Sequence, residues 1–223
     1  MTPQTWYKGR TSLDLRREAD WAWIGLRSGD GLNRLHSDLL VALDRLFIEL
    51  RWSGIRRVAL SGAAWMTGRG HHFSAGADLP EVGTLDPVSA EPFSRRGQRV
   101  MAHLLWPGWR SLTVISGVAM GGGCDLALHG QERWAVRADP NTGKGGLRLA
   151  HPAAKHGILT GFGGTVRLPE ILGHEGADRL FRHFETWDEG TALGAGAIHR
   201  VVAPGEVEAE VKAWLRGTAI SST

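Results

Sequence analysis

The sequence predicts an α/β domain in which parallel strands are joined by crossover helices. Residues 58–61 (VALS) and 111–115 (SLTVI) read as buried strands of alternating and β-branched character. Residues 37–50 carry apolar side chains at helical spacing and come directly before the first of these strands. This alternation of strand and helix along the chain favours a parallel sheet covered by helices.

The first elements in chain order are a hairpin and a helix. Residues 12–17 and 21–27 predict two antiparallel strands that turn around Ala19 and Asp20. Residues 37–50 predict a helix with Ser37 as the N-cap and Gly54 after its end. The apolar residues of this helix share one face and are Leu39, Leu43, Leu46, Phe47 and Leu50.

The remaining elements follow at short intervals, with no low-complexity tract or second-domain linker between them. A polar segment reaches residue 89, and residues 139–146 (DPNTGKGG) form a turn-rich loop. The predicted elements of this part are a helix over 92–105, a strand over 134–136, a helix opened by 161–164, helices over 173–184 and 189–193, a strand over 198–202 and an amphipathic helix over 207–215.

Length and composition are those of one globular domain with a sizeable core. The chain has 223 residues, of which 42% are hydrophobic, and a formal net charge of +3, which is too small to indicate nucleic-acid binding. A single cysteine, Cys124, excludes an intrachain disulfide. The first residues lack the apolar core of a signal peptide, and no stretch is long enough to span a membrane. We therefore expect a cytoplasmic protein without a membrane partner, whose ten scattered tryptophans fill the core and interfaces.

A run of three glycines, Gly121, Gly122 and Gly123, lies between the strand over 111–115 and a helix predicted to begin near Cys124. Glycine permits backbone conformations closed to other residues, and a helix start leaves N–H groups without intrahelical partners. Such N–H groups can hold an anion or an oxyanion. The alternative interpretation is a tight turn packed against a neighbouring backbone, and the glycines alone do not decide between the two.

Three stretches together resemble the crotonase superfamily of enoyl-CoA hydratases and isomerases. They are FSAGADL at 73–79, SGVAMGGGCDLAL at 116–128 and GFGGTVRLPEILG at 161–173. The resemblance runs from about residue 12 to about residue 202. It implies a spiral core of ββα units with outer helices in residues 1–202, followed by a short C-terminal helix and tail in 203–223. The resemblance also implies a homotrimer or a dimer of trimers. By comparison with the family the C-terminal helical region looks shortened, and in the family this region covers the pocket or packs between subunits.

The resemblance also implies a binding site for an acyl-CoA thioester. The backbone N–H groups of Ala77 and Gly122 would hold the thioester oxygen. Leu32, Ala75, Asp78 and Leu79 would contact coenzyme A, which enters only as part of the substrate, and no metal or redox cofactor is implied. Basic residues near the first motif, Arg69, His71 and His72, could meet the CoA phosphates or could simply be solvated. Lys144 in the turn-rich loop could likewise be functional or could simply be part of an exposed loop.

The acid–base residues of the family are only partly matched. One family carboxylate follows the cysteine of the glycine motif, and the matching residue is Asp125, one methylene shorter than the usual glutamate. A second glutamate normally follows a proline, but after Pro152 this chain has Ala153, which cannot transfer a proton.

Several interpretations of this difference remain open. Asp125 could act with His151 or His156, because imidazole titrates in a useful range. The reaction could instead be a decarboxylation or thioester hydrolysis that needs mainly the oxyanion site, or the protein could be a non-catalytic acyl-CoA-binding or scaffold subunit. A phosphate-binding loop is excluded, because TGKGG at 142–146 lacks the required spacing.

Overall fold

The computed structural model describes residues 2–63, 72–141, 143 and 145–218, and this part of the chain contains ten strands and seven α-helices. The strands are β1 Gln4–Tyr7, β2 Thr11–Glu18, β3 Trp21–Ser28, β4 Arg57–Gly62, β5 Arg110–Ile115, β6 Val118–Met120, β7 Glu132–Val136, β8 Arg148–Ala150, β9 Thr186–Trp187 and β10 Arg200–Val202. The helices are α1 Ser37–Trp52, α2 Leu79–Val82, α3 Pro87–Leu104, α4 Gly122–Leu128, α5 Gly164–Phe181, α6 Glu189–Gly194 and α7 Val207–Arg216, with a short 3₁₀-helix at Pro152–His156.

The strands form two sheets, and the larger confirms the predicted α/β class. It has seven strands in the order β1-β2-β3-β4-β5-β7-β10. The strands β3, β4, β5, β7 and β10 run parallel to one another, and β1 and β2 extend the sheet as antiparallel neighbours. The second sheet contains β6, β8 and β9, with β6 parallel to β8. Helices joining parallel neighbours are the connections that this topology requires.

The hairpin and the other strands of the larger sheet lie close to where the sequence predicts them, except for the edge strand β1, which was not predicted. Strands β2 and β3 pair from Glu18 opposite Trp21 onward, and Ala19 takes a positive φ of 43° at the turn. The sheet is covered on both faces. One apolar cluster packs against α1, α3 and α4, and a second on the other face includes Trp23, Trp134 and Trp214. Most tryptophans are therefore core residues, although the Trp52 side chain is 86% exposed.

Two helix starts differ from the predictions. The N-cap of α1 is His36 and not Ser37, because Nδ1 of His36 accepts a hydrogen bond from the Leu39 N–H at 3.2 Å. Helix α3 begins at Pro87, before the predicted residue 92, because the side chains of Asp86 and Ser89 form a reciprocal capping box there. Pro92 therefore lies inside the helix instead of opening it.

The helix expected over residues 173–184 begins at a break inside a longer helix, as predicted, but ends earlier than predicted. Helix α5 runs from Gly164 to Phe181 and kinks at Gly173, where φ is 69° and ψ is 174°. It ends before Phe184, whose positive φ of 56° does not belong to a right-handed helix. The short strands β6 and β8 are additional elements that sequence periodicity did not predict, since three residues are too few to show it.

Helix α7 packs against β3 and β4 and buries Val207, Val211 and Leu215. The division between residues 1–202 and 203–223 stays a prediction. Among the described residues, no helix combines the length and apolar character needed to cross a membrane.

Candidate active site

A cavity of about 430 Å³ lies where the FSAGADL motif, α3, the glycine run and residues 151–162 meet. Its lining is mainly apolar. Leu79 and Leu159 are 52% and 77% exposed and mark the mouth, whereas Phe93 and Phe162 are 6% and 3% exposed and mark the inner end. A concave apolar pocket with a few polar groups is the usual form of a small-molecule site.

The FSAGADL motif is held against β6 by backbone hydrogen bonds. The N–H of Ser74 donates to the carbonyl of Val118 at 3.0 Å, and the N–H of Met120 donates back to the carbonyl of Ser74 at 3.0 Å. On its other side, the carbonyl of Gly76 accepts from the Leu35 N–H at 2.8 Å. These bonds place the backbone of residues 75–78 directly beside the start of α4.

Two glycines permit the close approach of the motif and the glycine run. Gly76 has a φ of 96°, and a Cβ there would lie 2.4 Å from the carbonyl oxygen of Met120 and 3.2 Å from the nitrogen of Gly122. A Cβ on Gly123 would lie 2.2 Å from the carbonyl oxygen of Ser74. The glycines therefore have a packing role, and the interpretation as a tight turn accounts for part of the motif.

The N–H groups of Ala77 and Gly122 belong to the same part of the cavity. A Cβ on Gly122 would lie 3.5 Å from the nitrogen of Ala77, and both residues line the cavity. Neither N–H donates a hydrogen bond to any residue that the structure describes. Gly122 is the first residue of α4, where a helix leaves its N–H without an intrahelical acceptor.

Asp125 lies outside the cavity lining and is fully buried at 0% exposure. Its Oδ1 lies 3.2 Å from Nε2 of His151, and its Oδ2 accepts a hydrogen bond from the hydroxyl of Thr160. Gly164, the first residue of α5, packs so closely on the carboxylate that a Cβ would overlap Oδ1. The carboxylate thus reaches the cavity only through His151 and Thr160, which both line it.

His151 is the histidine that connects this carboxylate to the cavity. A carboxylate only accepts hydrogen bonds, so Nε2 of His151 carries the proton and Nδ1 keeps its lone pair. Nδ1 is buried and has no hydrogen-bond partner among the described residues. The ring also packs against Phe181, with centroids 4.6 Å apart. An imidazole that is held by a carboxylate beside a cavity, and that keeps one nitrogen unpartnered, is a candidate for proton transfer.

Neither aspartate nor glutamate occurs among the cavity-lining residues of the described chain. Ala153 lines the cavity from the 3₁₀-helix, and the exposed His156 lies in the same helix. The titratable side chains of the described lining are therefore His151 and His156. No group of three or more potential metal ligands occurs among the described residues.

A sequence model of the enoyl-CoA hydratase/isomerase family matches residues 52–222, which is most of the chain. The chain belongs to the enoyl-CoA hydratase/isomerase family. It is 32% identical over 202 residues to the crotonyl-CoA hydratase of Syntrophomonas wolfei, covering 90% of this chain and 73% of that protein. It is 28% identical over 194 residues to the short-chain-enoyl-CoA hydratase of Clostridium acetobutylicum, covering 86% of this chain and 69% of that protein.

Solved structures agree with this membership in the crotonase superfamily. The structure of Pseudomonas aeruginosa DspI superposes with a TM-score of 0.81 at 28% identity, covering 95% of this chain and 75% of that one. The enoyl-CoA hydratase of Thermoplasma volcanium gives a TM-score of 0.76 at 26% identity, with 91% and 74% covered.

The residues predicted to contact coenzyme A in this family member fall into two groups. Ala75 and Leu79 line the cavity, and the Ala75 N–H donates to the carbonyl of Leu32 at 2.8 Å, which places Leu32 behind the lining. The carboxylate of Asp78 instead pairs with Arg10 at 2.5 Å, and Arg10 also pairs with Glu81 at 3.2 Å. The roles of these four residues stay predictions.

The basic residues near the motif are only partly described. Arg69, His71 and Lys144 lie outside the described residues. Nδ1 of His72 accepts a hydrogen bond from the Val118 N–H at 3.2 Å, which gives this ring a structural contact beside β6.

Sequence reasoning missed two residues that shape this family site. Asn33 has a positive φ of 49°, and its side-chain amide donates to the carbonyls of His72 and Phe73 at 2.9 and 3.3 Å. It thereby fixes the start of the FSAGADL motif through a side-chain contact between positions far apart in sequence. Thr160 was not singled out, because its contact with Asp125 joins positions far apart in sequence and leaves no local pattern.

Proposed function

We propose that this chain acts on acyl-CoA thioesters as a hydratase or isomerase with one histidine as its proton-transfer group. The observation that carries the proposal is the meeting, at one apolar cavity, of two unpartnered backbone N–H groups and the side chain of His151, whose Nε2 contacts Asp125 and whose Nδ1 has no partner among the described residues. Coenzyme A enters as part of the substrate. The relatives named crotonyl-CoA hydratase and short-chain-enoyl-CoA hydratase support this substrate class.

The N–H groups of Ala77 and Gly122 are the proposed oxyanion donors. When a thioester becomes an enolate, negative charge grows on its carbonyl oxygen, and donors that are already in place stabilise this charge without reorganisation. One such donor is worth roughly 10²–10³-fold in turnover. Both are main-chain groups: the segment that carries Ala77 is held by hydrogen bonds of residues 73–74 with β6 and of Gly76 and Asp78 with Leu35, and Gly122 opens α4.

His151 is the proposed acid and base. For hydration, Nδ1 takes a proton from water as the water oxygen bonds to the substrate Cβ, and the thioester becomes an enolate. The same nitrogen then returns the proton to Cα, so that one water is added across the double bond. Asp125 holds the Nε2–H and stabilises the imidazolium between the two steps, as a positioning residue.

Thioester hydrolysis is the second candidate, and the absence of carboxylates from the described lining favours it. A histidine that activates water for attack on the carbonyl carbon, together with an oxyanion site, is sufficient for that reaction. Loss of the conjugated-thioester absorbance of crotonyl-CoA reports hydration, whereas release of free thiol reports hydrolysis. Measuring both signals on one sample separates the two reactions.

The proposal is tested by His151→Gln, which removes the basic nitrogen but keeps a polar side chain. We expect turnover to fall by roughly 10²-fold or more, while acyl-CoA binding changes little. The matched control is His174→Gln, at an exposed position on α5 away from the cavity. His156→Gln is the comparison inside the cavity, and we expect it to lose far less activity because the exposed His156 ring, unlike that of His151, is not paired with a buried carboxylate among the described residues.

Equal turnover of His151→Gln and the parent protein would exclude the single-histidine mechanism. A parent protein that binds crotonyl-CoA tightly but neither hydrates nor hydrolyses it would favour the non-catalytic binding or scaffold subunit instead.

A further inference from the structure

We propose that the ring of Phe162 closes the inner end of the cavity and sets the length of acyl chain that the site accepts. The proposal rests on the proposed function, because it takes the thioester carbonyl to lie at the N–H groups of Ala77 and Gly122. The substrate class it specifies is acyl thioesters with short chains.

The orientation of the chain follows from the exposure of the lining. The mouth is formed by exposed side chains, Leu79 and Leu159, and the inner end by the buried rings of Phe93 and Phe162. A bulky, charged CoA moiety must remain toward solvent, so the acyl chain points inward. Chain atoms beyond the carbonyl therefore run toward the two phenylalanines.

The Phe162 ring lies between two glycines on different helices. A Cβ on Gly97 of α3 would lie 2.1 Å from Cδ1 of the ring, and a Cβ on Gly122 of α4 would lie 2.8 Å from Cδ2 on its opposite edge. The ring occupies the space that a side chain at either position would need. Because it contacts Gly122 directly, it lies beside the proposed carbonyl site, and only a short chain fits before the wall.

The wall is fixed in place by α3. The side-chain amide of Gln98 donates to the carbonyl of Gly161 at 2.8 Å, and Gly161 packs so closely on Ser94 that a Cβ would lie 2.2 Å from its hydroxyl oxygen. The rings of Phe93 and Phe162 pack with centroids 5.2 Å apart. Several contacts thus oppose movement of the ring away from the cavity, and a longer chain must displace a packed side chain.

The test compares chain-length profiles of Phe162→Ala and Gly97→Ala, which change the wall in opposite directions. Dissociation constants are measured for unreactive saturated acyl-CoA thioesters from butanoyl to decanoyl, with free CoA as the reference. In Phe162→Ala we expect affinity to keep rising beyond the parent's optimum, by about fourfold for each added methylene that becomes buried. In Gly97→Ala the new methyl group pushes the ring into the cavity, and the optimum moves to shorter chains.

Controls separate pocket shape from loss of folding. Phe184→Ala removes a ring that contacts Lys155 and does not line the cavity, so its profile should match the parent's. If Phe162→Ala does not fold, as judged by thermal unfolding, Phe162→Leu provides a smaller opening of the same wall.

Profiles that are the same in the parent, Phe162→Ala or Leu, and Gly97→Ala would overturn the proposal. It would also fall if the parent bound every acyl-CoA no more tightly than free CoA, because the chain would then lie outside the cavity. A shifted profile in a protein that turns over no thioester would support the pocket assignment and contradict the proposed catalysis.

Discussion

Replacing Asp125 by asparagine tests the proposed catalytic arrangement most directly, because it removes a charge and preserves shape. The carboxylate accepts from Nε2 of His151 at 3.2 Å and from the hydroxyl of Thr160. The asparagine side chain can keep both contacts if its oxygen faces His151, and the loss is then that of a charge-assisted hydrogen bond, about 1–1.5 kcal/mol or tenfold.

A larger loss of kcat is expected if Asp125→Asn changes which nitrogen of His151 carries the proton. If the asparagine amide N–H faces His151, Nε2 must accept and the ring proton moves to Nδ1, which leaves no basic nitrogen at the cavity. The equivalent substitution in a Ser-His-Asp triad lowers kcat about 10⁴-fold for this reason. We therefore expect Asp125→Asn to lower kcat by at least about 10²-fold, between these two limits.

The KM of the variant separates a positioning role from direct contact with substrate. Asp125 is not part of the cavity lining, so KM for crotonyl-CoA should stay within about twofold of the parent value while kcat falls. Kinetics would be followed by loss of the conjugated-thioester absorbance and by thiol release. Thermal unfolding of the same preparation checks that the fold is retained, since Thr160 can accept from the amide and both partners stay bonded.

The contrast variant is Asp125→Ala, which leaves the His151 Nε2–H and the Thr160 hydroxyl without partners and opens a void. It should lower the free energy of unfolding by about 1–3 kcal/mol for each of these two unsatisfied donors, whereas Asp125→Asn should not. If Asp125→Asn turned over crotonyl-CoA at the parent rate, or if it raised KM and left kcat unchanged, the reasoning from this contact would be refuted.

Four further predictions concern other parts of the molecule. Ala153→Glu adds a carboxylate to the cavity lining, and we expect a modest rise in hydration of crotonyl-CoA; an unchanged rate would exclude proton transfer from this position. Gly123→Ala places a methyl group 2.2 Å from the carbonyl oxygen of Ser74, so the free energy of unfolding should fall by about 1–3 kcal/mol in chemical denaturation, and an unaffected midpoint would contradict the packing argument. Burial lowers the pKa of four histidines, His36, His103, His129 and His199, below the ordinary 6.5, so the unfolded chain binds more protons than the folded one below that pH. The free energy of unfolding should therefore decrease as the pH falls from about 6.5, which denaturant titrations at several pH values measure. His36→Asn keeps a helix cap, and a flatter pH profile in this variant would attribute part of the effect to His36. Light scattering should give the mass of a trimer or of a dimer of trimers, and a monomer at all concentrations would exclude this assembly.

Much of the fold could be predicted because long elements leave a periodic pattern. Strands β4 and β5 and helix α1 carry enough apolar residues to show their spacing. Strands β6 and β8 have three residues each and are recognisable only through their pairing with one another. The start of α3 was misplaced because proline favours the first turn of a helix, and the capping box at Asp86 outweighs that preference by opening the helix earlier.

The site residues also differ in how far the sequence could predict their placement. The backbone groups of Ala77 and Gly122 could be named as expected donors because their motifs resemble those of the family, whereas the glycines alone left the choice between an anion site and a tight turn open. The direction of the Asp125 side chain could not, because it depends on where residues 151–164 cross α4. Neither the contact with His151 nor the packing of Gly164 on the carboxylate leaves a trace in local spacing.

In the proposed chemistry, one part of the chain supplies main-chain donors and another part supplies the side chains. The donors for the thioester oxygen are main-chain groups of residues 77 and 122, held by the bonds between the FSAGADL motif and β6. The side chains that would move protons, hold the carboxylate and limit the acyl chain are His151, Thr160 and Phe162, which lie on one continuous segment. In this proposal, substitutions in that segment change the reaction or the accepted chain length and leave the oxyanion donors in place, because those donors are main-chain N–H groups outside the segment. The proposal therefore predicts that the reaction of this family member depends on residues 151–162 more than on the glycine motifs by which the family is recognised.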